Sequence, residues 1–148
     1  MRISTKFTTA VHILVASVYF GPTTKVTSSF LADSIGSNPV MIRNIMTQLQ
    51  QAGIIEVKRG SGGIEITRPL SEITFLDIYR AVETNADDPL FHFHENPNPD
   101  CPVGRNIHGA LDAQLDAIQQ NLEDDLASRN VASVYESVLQ AAERQAEE

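Results

Sequence analysis

From Thr5 to Tyr19 the apolar residues Phe7, Ala10, Val11, Leu14, Val15 and Val18 return every three or four positions, which predicts a helix with one buried face. The GPTTK segment at 21–25 breaks that pattern. Thr27 then offers a hydroxyl N-cap to a short helix whose inward residues are Phe30, Leu31, Ala32 and Ile35. Gly36 supplies a left-handed turn position, and Ser37-Asn38-Pro39 restarts a helix with a polar cap and Pro at its first position. The third helix is expected to run to about Ala52, with Ile42, Ile45, Met46 and Leu49 facing inward, until Gly53 stops it.

The period then changes. IIEVKR (54–59) is a β-rich run, glycines follow, and IEIT (64–67) alternates strictly as a half-buried strand does. Two helices joined by a short Gly-containing turn and followed directly by a hairpin make a winged helix-turn-helix. Thr74 caps another short helix with Asp77 three residues on, and Ile78, Ala81 and Val82 face in. Residues 85–102 hold four of the seven prolines and read as a long irregular connection. Beyond it, Ile107, Leu111, Leu115, Ile118, Leu122 and Leu126 mark one stripe of a helix of roughly five turns. A last amphipathic helix carries Val131, Val134, Tyr135, Val138, Leu139 and Ala142, followed by a charged tail. The expected fold is mostly α with a small β-hairpin. Its parts are a winged helix-turn-helix domain over residues 1–84, a linker at 85–102 and a helical dimerisation region at 103–148.

Charge changes the picture more than composition does. The chain is 148 residues with a net charge of −8, which argues at first against a polyanionic partner. Residues 1–70, however, hold seven Lys/Arg against three acids, and residues 71–148 hold four against sixteen. A basic first half and an acidic second half suggest one end for a polyanion and another kept away from it. The apolar stretch at 10–20 is broken by His12 and is too short to span a bilayer. Arg2 and Lys6 imitate the start of a signal peptide, yet no small-residue cleavage site follows, so a cytoplasmic protein with no membrane partner is expected. The single cysteine, Cys101, excludes an internal disulfide.

The third helix is the candidate reader of DNA. With its apolar face inward, Val40, Met41, Arg43, Asn44, Thr47 and Gln48 point out. Arg43 can pair bidentately with guanine and Asn44 with adenine, while Val40 or Met41 can pack on a thymine methyl. Ser37 and Asn38 at the helix start can donate to phosphate. Lys58, Arg59 and Ser61 cluster at the hairpin turn, where glycines would let backbone amides approach a duplex. A nucleotide-binding loop of an enzyme would need Lys-Ser/Thr after the glycines and a helix after that; here a strand follows, and no catalytic set is expected. His92, His94, Cys101 and His108 are ligand types for zinc, iron or copper but match no recognised spacing, so no metal is expected. Cys101 reads foremost as a buried structural cysteine, with a thiol sensor as the alternative.

In this order, the helix-turn-helix, glycine-rich wing and long helix resemble the Rrf2 family of bacterial transcription regulators. The stretches that carry the likeness are MRIS, VTSSFLADSIGSNPVMIRNIMTQLQQAGII, RGSGGIEITRP, ITFLDIYRAVE and CPVGRNI, spread over most of the chain. The likeness is strongest to a YwnA-like branch whose members carry no cluster. Family members that bind an iron–sulfur cluster use three closely spaced cysteines before the long helix; this sequence has Cys101 alone there, and such a cluster needs about four ligands, mostly thiolates. No cluster, and no other cofactor, is therefore expected. The resemblance favours Val40 and Arg43 as base readers. It implies a homodimer on double-stranded DNA, seamed by Ile107, Leu111, Leu115, Ile118, Leu122 and Leu126, acting as a repressor on a palindromic operator. Two rivals stay open: a winged helix used as a protein-interaction module, and the same DNA-binding regulator sensing a metal or redox change through the His/Cys set. The sequence does not identify a small-molecule effector.

Overall fold

Ser4 starts the first helix: its hydroxyl accepts from the Lys6 amide at 3.2 Å, and α1 runs Thr5–Phe20. The computed structural model describes residues 3–59, 63–83 and 86–148. In it, α1 is the central post, touched by three other helices of the first half, by the last helix and by the hairpin. Its buried surface is therefore wider than the expected stripe, adding Thr9, Ile13, Ala16 and Ser17. Ser17 satisfies its hydroxyl by donating to the Ile13 carbonyl at 2.6 Å.

Helix α2 spans Ser28–Ile35, with the Thr27 hydroxyl accepting from the Phe30 amide. Gly36 ends it at φ +75°, a conformation costly for any residue with a Cβ. Helix α3, Pro39–Gln51, follows at once and buries Ile42, Ile45, Met46 and Leu49, the expected face. The hairpin pairs β1 (Ile55–Val57) antiparallel with β2 (Ile64–Ile66), Ile55 opposite Ile66 and Val57 opposite Ile64. Both strands are shorter than the runs that predict them. At one end Thr67 turns its hydroxyl onto the Gly53 carbonyl at 2.6 Å; at the other, the last bond is Lys58 N–H to the Gly63 carbonyl at 3.0 Å. Ser61, with Gly60 and Gly62, falls outside the described residues, as do Met1 and Arg2 of the opening MRIS.

A 3-10 turn at Leu70–Glu72, which no periodicity foretells, leads to α4 (Phe75–Val82). The expected cap is a complete capping box: the Asp77 amide donates to the Thr74 hydroxyl, and the Thr74 amide to the Asp77 carboxylate, both at 3.0 Å. Burial alone would raise the Asp77 pKa, but the hydrogen bonds of Thr74 and the Arg68 guanidinium outweigh it and hold the carboxyl below its usual range. Replacing Thr74 by Ala should cost about 1 kcal/mol, read as a lower denaturant midpoint at unchanged slope.

Helix α5, Pro102–Ser128, is longer than its stripe foretells. Its first turn is set by Cys101 at the N-cap and Pro102 rather than by apolar residues. Helix α6, Val131–Ala146, extends through most of the expected tail. The junction between them is stapled to the first half: Phe75 N–H donates to the Arg129 carbonyl and Val131 N–H to the Ile73 carbonyl, at 2.9 and 3.0 Å. From there α6 folds back on α1 and the 3-10 turn, while α5 meets the body through α4. Among the described residues no helix is long and apolar enough to cross a membrane.

Candidate nucleic-acid interface

Because the core takes one side of α3, the other is left to solvent. Val40 is 54% and Met41 38% exposed, high values for large apolar side chains, and Arg43, Asn44 and Thr47 stand beside them. Gln48, expected to point out, is half-buried, and its Oε1 has no partner among the described residues. Ser37 and Asn38 are partly engaged by the helix itself. The Asn38 Oδ1 accepts from the Val40 amide at 2.7 Å, and the Ser37 hydroxyl points at the Met41 sulfur. These two side chains hold the start of α3 in place, which leaves less of them for phosphate than the sequence suggests.

Two clefts flank α3. One, about 620 Å³, lies between Lys6 at the start of α1 and the Val40, Met41 and Asn44 side of α3. The other, about 350 Å³, lies between that helix and the wing, lined by Lys25, Ser28, Arg43, Gln50 and Lys58 among others. Thr47 lines both and so sits on the crest between them. Neither Lys6 nor Lys25 belongs to the helix-turn-helix or wing motif. Only the packing of α1 and of the segment before α2 brings them beside α3; the one trace in the sequence is the basic first half.

In the wing, Arg59 is exposed, whereas Lys58 is paired with Glu65 at 3.1 Å across the hairpin. Gly63 lies where a Cβ would come within 2.3 Å of the Val26 carbonyl oxygen, and Ile64 N–H donates to that same carbonyl. This glycine is required by close approach of two backbones, not by a bound phosphate.

The stripe of α5 is divided. Leu126 is buried in the chain's own core, because the end of α5 is pulled in by the staple to α4; it is not free to join a seam. Leu115 lines a cleft beneath residues 87–93, while Ile118 is 47% exposed. Ile107, Leu111 and Leu122 are half-buried. The segment 86–101 is not a loose linker: Leu90 N–H donates to the Gln119 side chain at 2.7 Å, and His108 Nε2 lies 3.1 Å from the His94 carbonyl. A second apolar groove, about 520 Å³, runs between α1 and α6 past Val15, Tyr19 and Val138.

Of the four candidate ligands, His94 and His108 do meet, edge to face at 5.1 Å, with Phe93 stacked on His108 at 4.5 Å; His92 instead lines the acidic cleft with Asp112 and Asp116. Among the described residues no group of three or more His, Cys, Asp or Glu could hold a metal ion. Cys101 is half-exposed rather than buried, because it caps α5. The amides of Gly104 and Val103 hydrogen-bond its sulfur and hold the thiol below the ordinary cysteine range.

Residues 3–137 match the sequence model of a family described as Rrf2, iron-dependent transcriptional regulators. YwnA of Bacillus subtilis, a candidate HTH-type transcriptional regulator by name, is 36% identical over 132 residues, covering 89% of this chain and 96% of its own. A crystal structure of a candidate DNA-binding protein superposes with a TM-score of 0.66 at 30% identity, covering 87% of this chain and 97% of the other. CymR, the global cysteine regulator of B. subtilis, shares the fold with a TM-score of 0.68 at 18% identity, over 92% and 97%. These relatives are regulators, not enzymes. Where the family description implies iron, the donor set here does not fit an iron–sulfur cluster: one thiolate is present where about four ligands are needed.

Proposed function

Because the chain belongs to the Rrf2 family of transcriptional regulators, we propose that it binds an inverted-repeat operator as a homodimer and acts in the cytoplasm as a repressor, without an iron–sulfur cluster. The observation that carries the reading is α3: exposed Val40, Met41, Arg43, Asn44 and Thr47 on a helix backed by a dry core and bracketed by clefts with lysines on their walls. A helix so mounted fits the major groove, where arginine and asparagine each have a matching base edge. The wing would lie over the neighbouring backbone, with Arg59 as its free cation and Lys58 shared with Glu65. The acidic second half would face away from the duplex.

A dimer follows from the apolar surface that one chain leaves uncovered. Ile118 on α5 and Tyr19 and Val138 beside the α1–α6 groove are large side chains open to water. A second copy covering the α5 stripe would put two recognition helices on one face of the duplex. Replacing Arg43 by Ala should cost about 1–3 kcal/mol at one base pair of each half-site and relax preference there. Titration of a panel of single-base operator variants measures this; an unchanged preference at every position would remove Arg43 from the reading surface.

A further inference from the structure

The basic first half carries cations that the reading helix and wing do not account for. Arg68 is held by Asp77 and the Glu72 carbonyl, and Lys58 by Glu65. Lys6 and Lys25 hold no ion pair among the described residues. They stand on opposite sides of α3, Lys6 across the cleft beside Val40 and Asn44, Lys25 across the cleft beside Arg43. The row 40 and 44 and the row 43, 47 and 50 are different sides of one helix, with Thr47 on the crest. A helix with its side chains is about 10–12 Å across, close to the width of the major groove, so a docked helix has one sugar–phosphate backbone on each flank.

We propose that Lys6 and Lys25 are phosphate anchors of opposite strands, clamping the two backbones that border the groove α3 enters. This rests on the DNA reading of α3 and adds to it two contacts that carry no sequence information. Both lysines are mounted on fixed backbone. Ser4, which caps α1 two residues before Lys6, donates its amide and hydroxyl to the Glu83 carboxylate at 3.1 and 2.8 Å. Val26, next to Lys25, accepts from Ile64 of β2 at 3.1 Å. Each ammonium is thus presented from a backbone pinned at long range, which lowers the entropy lost on meeting a phosphate.

The test uses the full chain and a duplex recovered by selection from genomic DNA, with affinity followed against salt. Lys6→Gln and Lys25→Gln should each lower the slope of log K against log salt by about 0.9 per phosphate released, hence about 1.8 for a dimer. They should weaken specific and random duplexes alike. Lys6→Arg should keep the slope, and Arg144→Gln, on α6, should leave it unaltered. Duplexes with single neutral methylphosphonates then assign the strands. Lys6→Gln should become insensitive to neutralisation on one strand and Lys25→Gln on the other. Unchanged slopes, or both effects on the same strand, overturn the clamp while leaving the role of α3 intact. Failure of the unaltered chain to bind any duplex overturns both.

Discussion

Replacing Ile118 by Glu should convert the protein to a monomer and lower its operator affinity by at least about 100-fold, because two half-sites would no longer be held at one another's effective concentration. The size of the effect follows from where Ile118 lies. It is the most exposed member of the α5 stripe, so a single folded chain loses little by the change, and its thermal midpoint should hold. In a seam between two copies the same substitution buries an unpaired carboxylate twice, once from each chain, at several kcal/mol. Sedimentation equilibrium and operator titration on the same samples would show the two losses together. Leu126→Glu should behave differently: that side chain is in the chain's own core, and its loss should unfold the protein rather than split it. A dimer that survives Ile118→Glu would place the interface elsewhere.

Gly63→Ala carries the second large effect. The added Cβ would meet the Val26 carbonyl oxygen at 2.3 Å and the Val26 nitrogen and carbon at 3.0 Å, all backbone atoms that cannot turn aside. Strand β2 would have to lift, giving up the Ile64–Val26 hydrogen bond and tilting the wing. The expected cost is about 1–3 kcal/mol in stability, with weaker binding to every duplex. Gly109→Ala makes the contrast, since it lies inside α5 with nothing within 4 Å of its Cβ position. It should gain about 0.5–1 kcal/mol through helix propensity. Denaturant unfolding of both variants checks the pair; equal effects of one sign would mean that the close approach to Val26 is not what Gly63 serves.

The glycine run also shows what the sequence could and could not reveal. Its neighbours, a strand on each side and no Lys-Ser/Thr after it, excluded an enzyme loop, but the contact with Val26 lies 37 positions back and has no local signal. The same division runs through the molecule. Thr27, Asn38 and Thr74 were legible as caps because capping is a local transaction between a side chain and amides two or three residues on. The inward face of α3 was legible because one side of that helix alone meets the core. Helix α1 was only half legible, since neighbours on several sides bury residues that a single stripe leaves out, Ile13 among them. Lys6 and Lys25 were invisible as a pair, and Leu126 was misassigned to a seam, because both depend on which distant segments pack together. Cys101 was read foremost as buried because free cysteines commonly are; its place as the cap of α5 exposes it.

The central claim is that α3 and the wing read an inverted repeat from two copies of the chain. Selection of bound fragments from the host genome by the full-length protein, followed by footprinting of the strongest, tests it most directly. The expected result is a protected inverted repeat with half-site centres about one or more helical turns apart, and loss of the footprint when Arg43, Lys58 and Arg59 are together replaced by Ala. Recovered fragments sharing no sequence, or a footprint indifferent to those three changes, would contradict it.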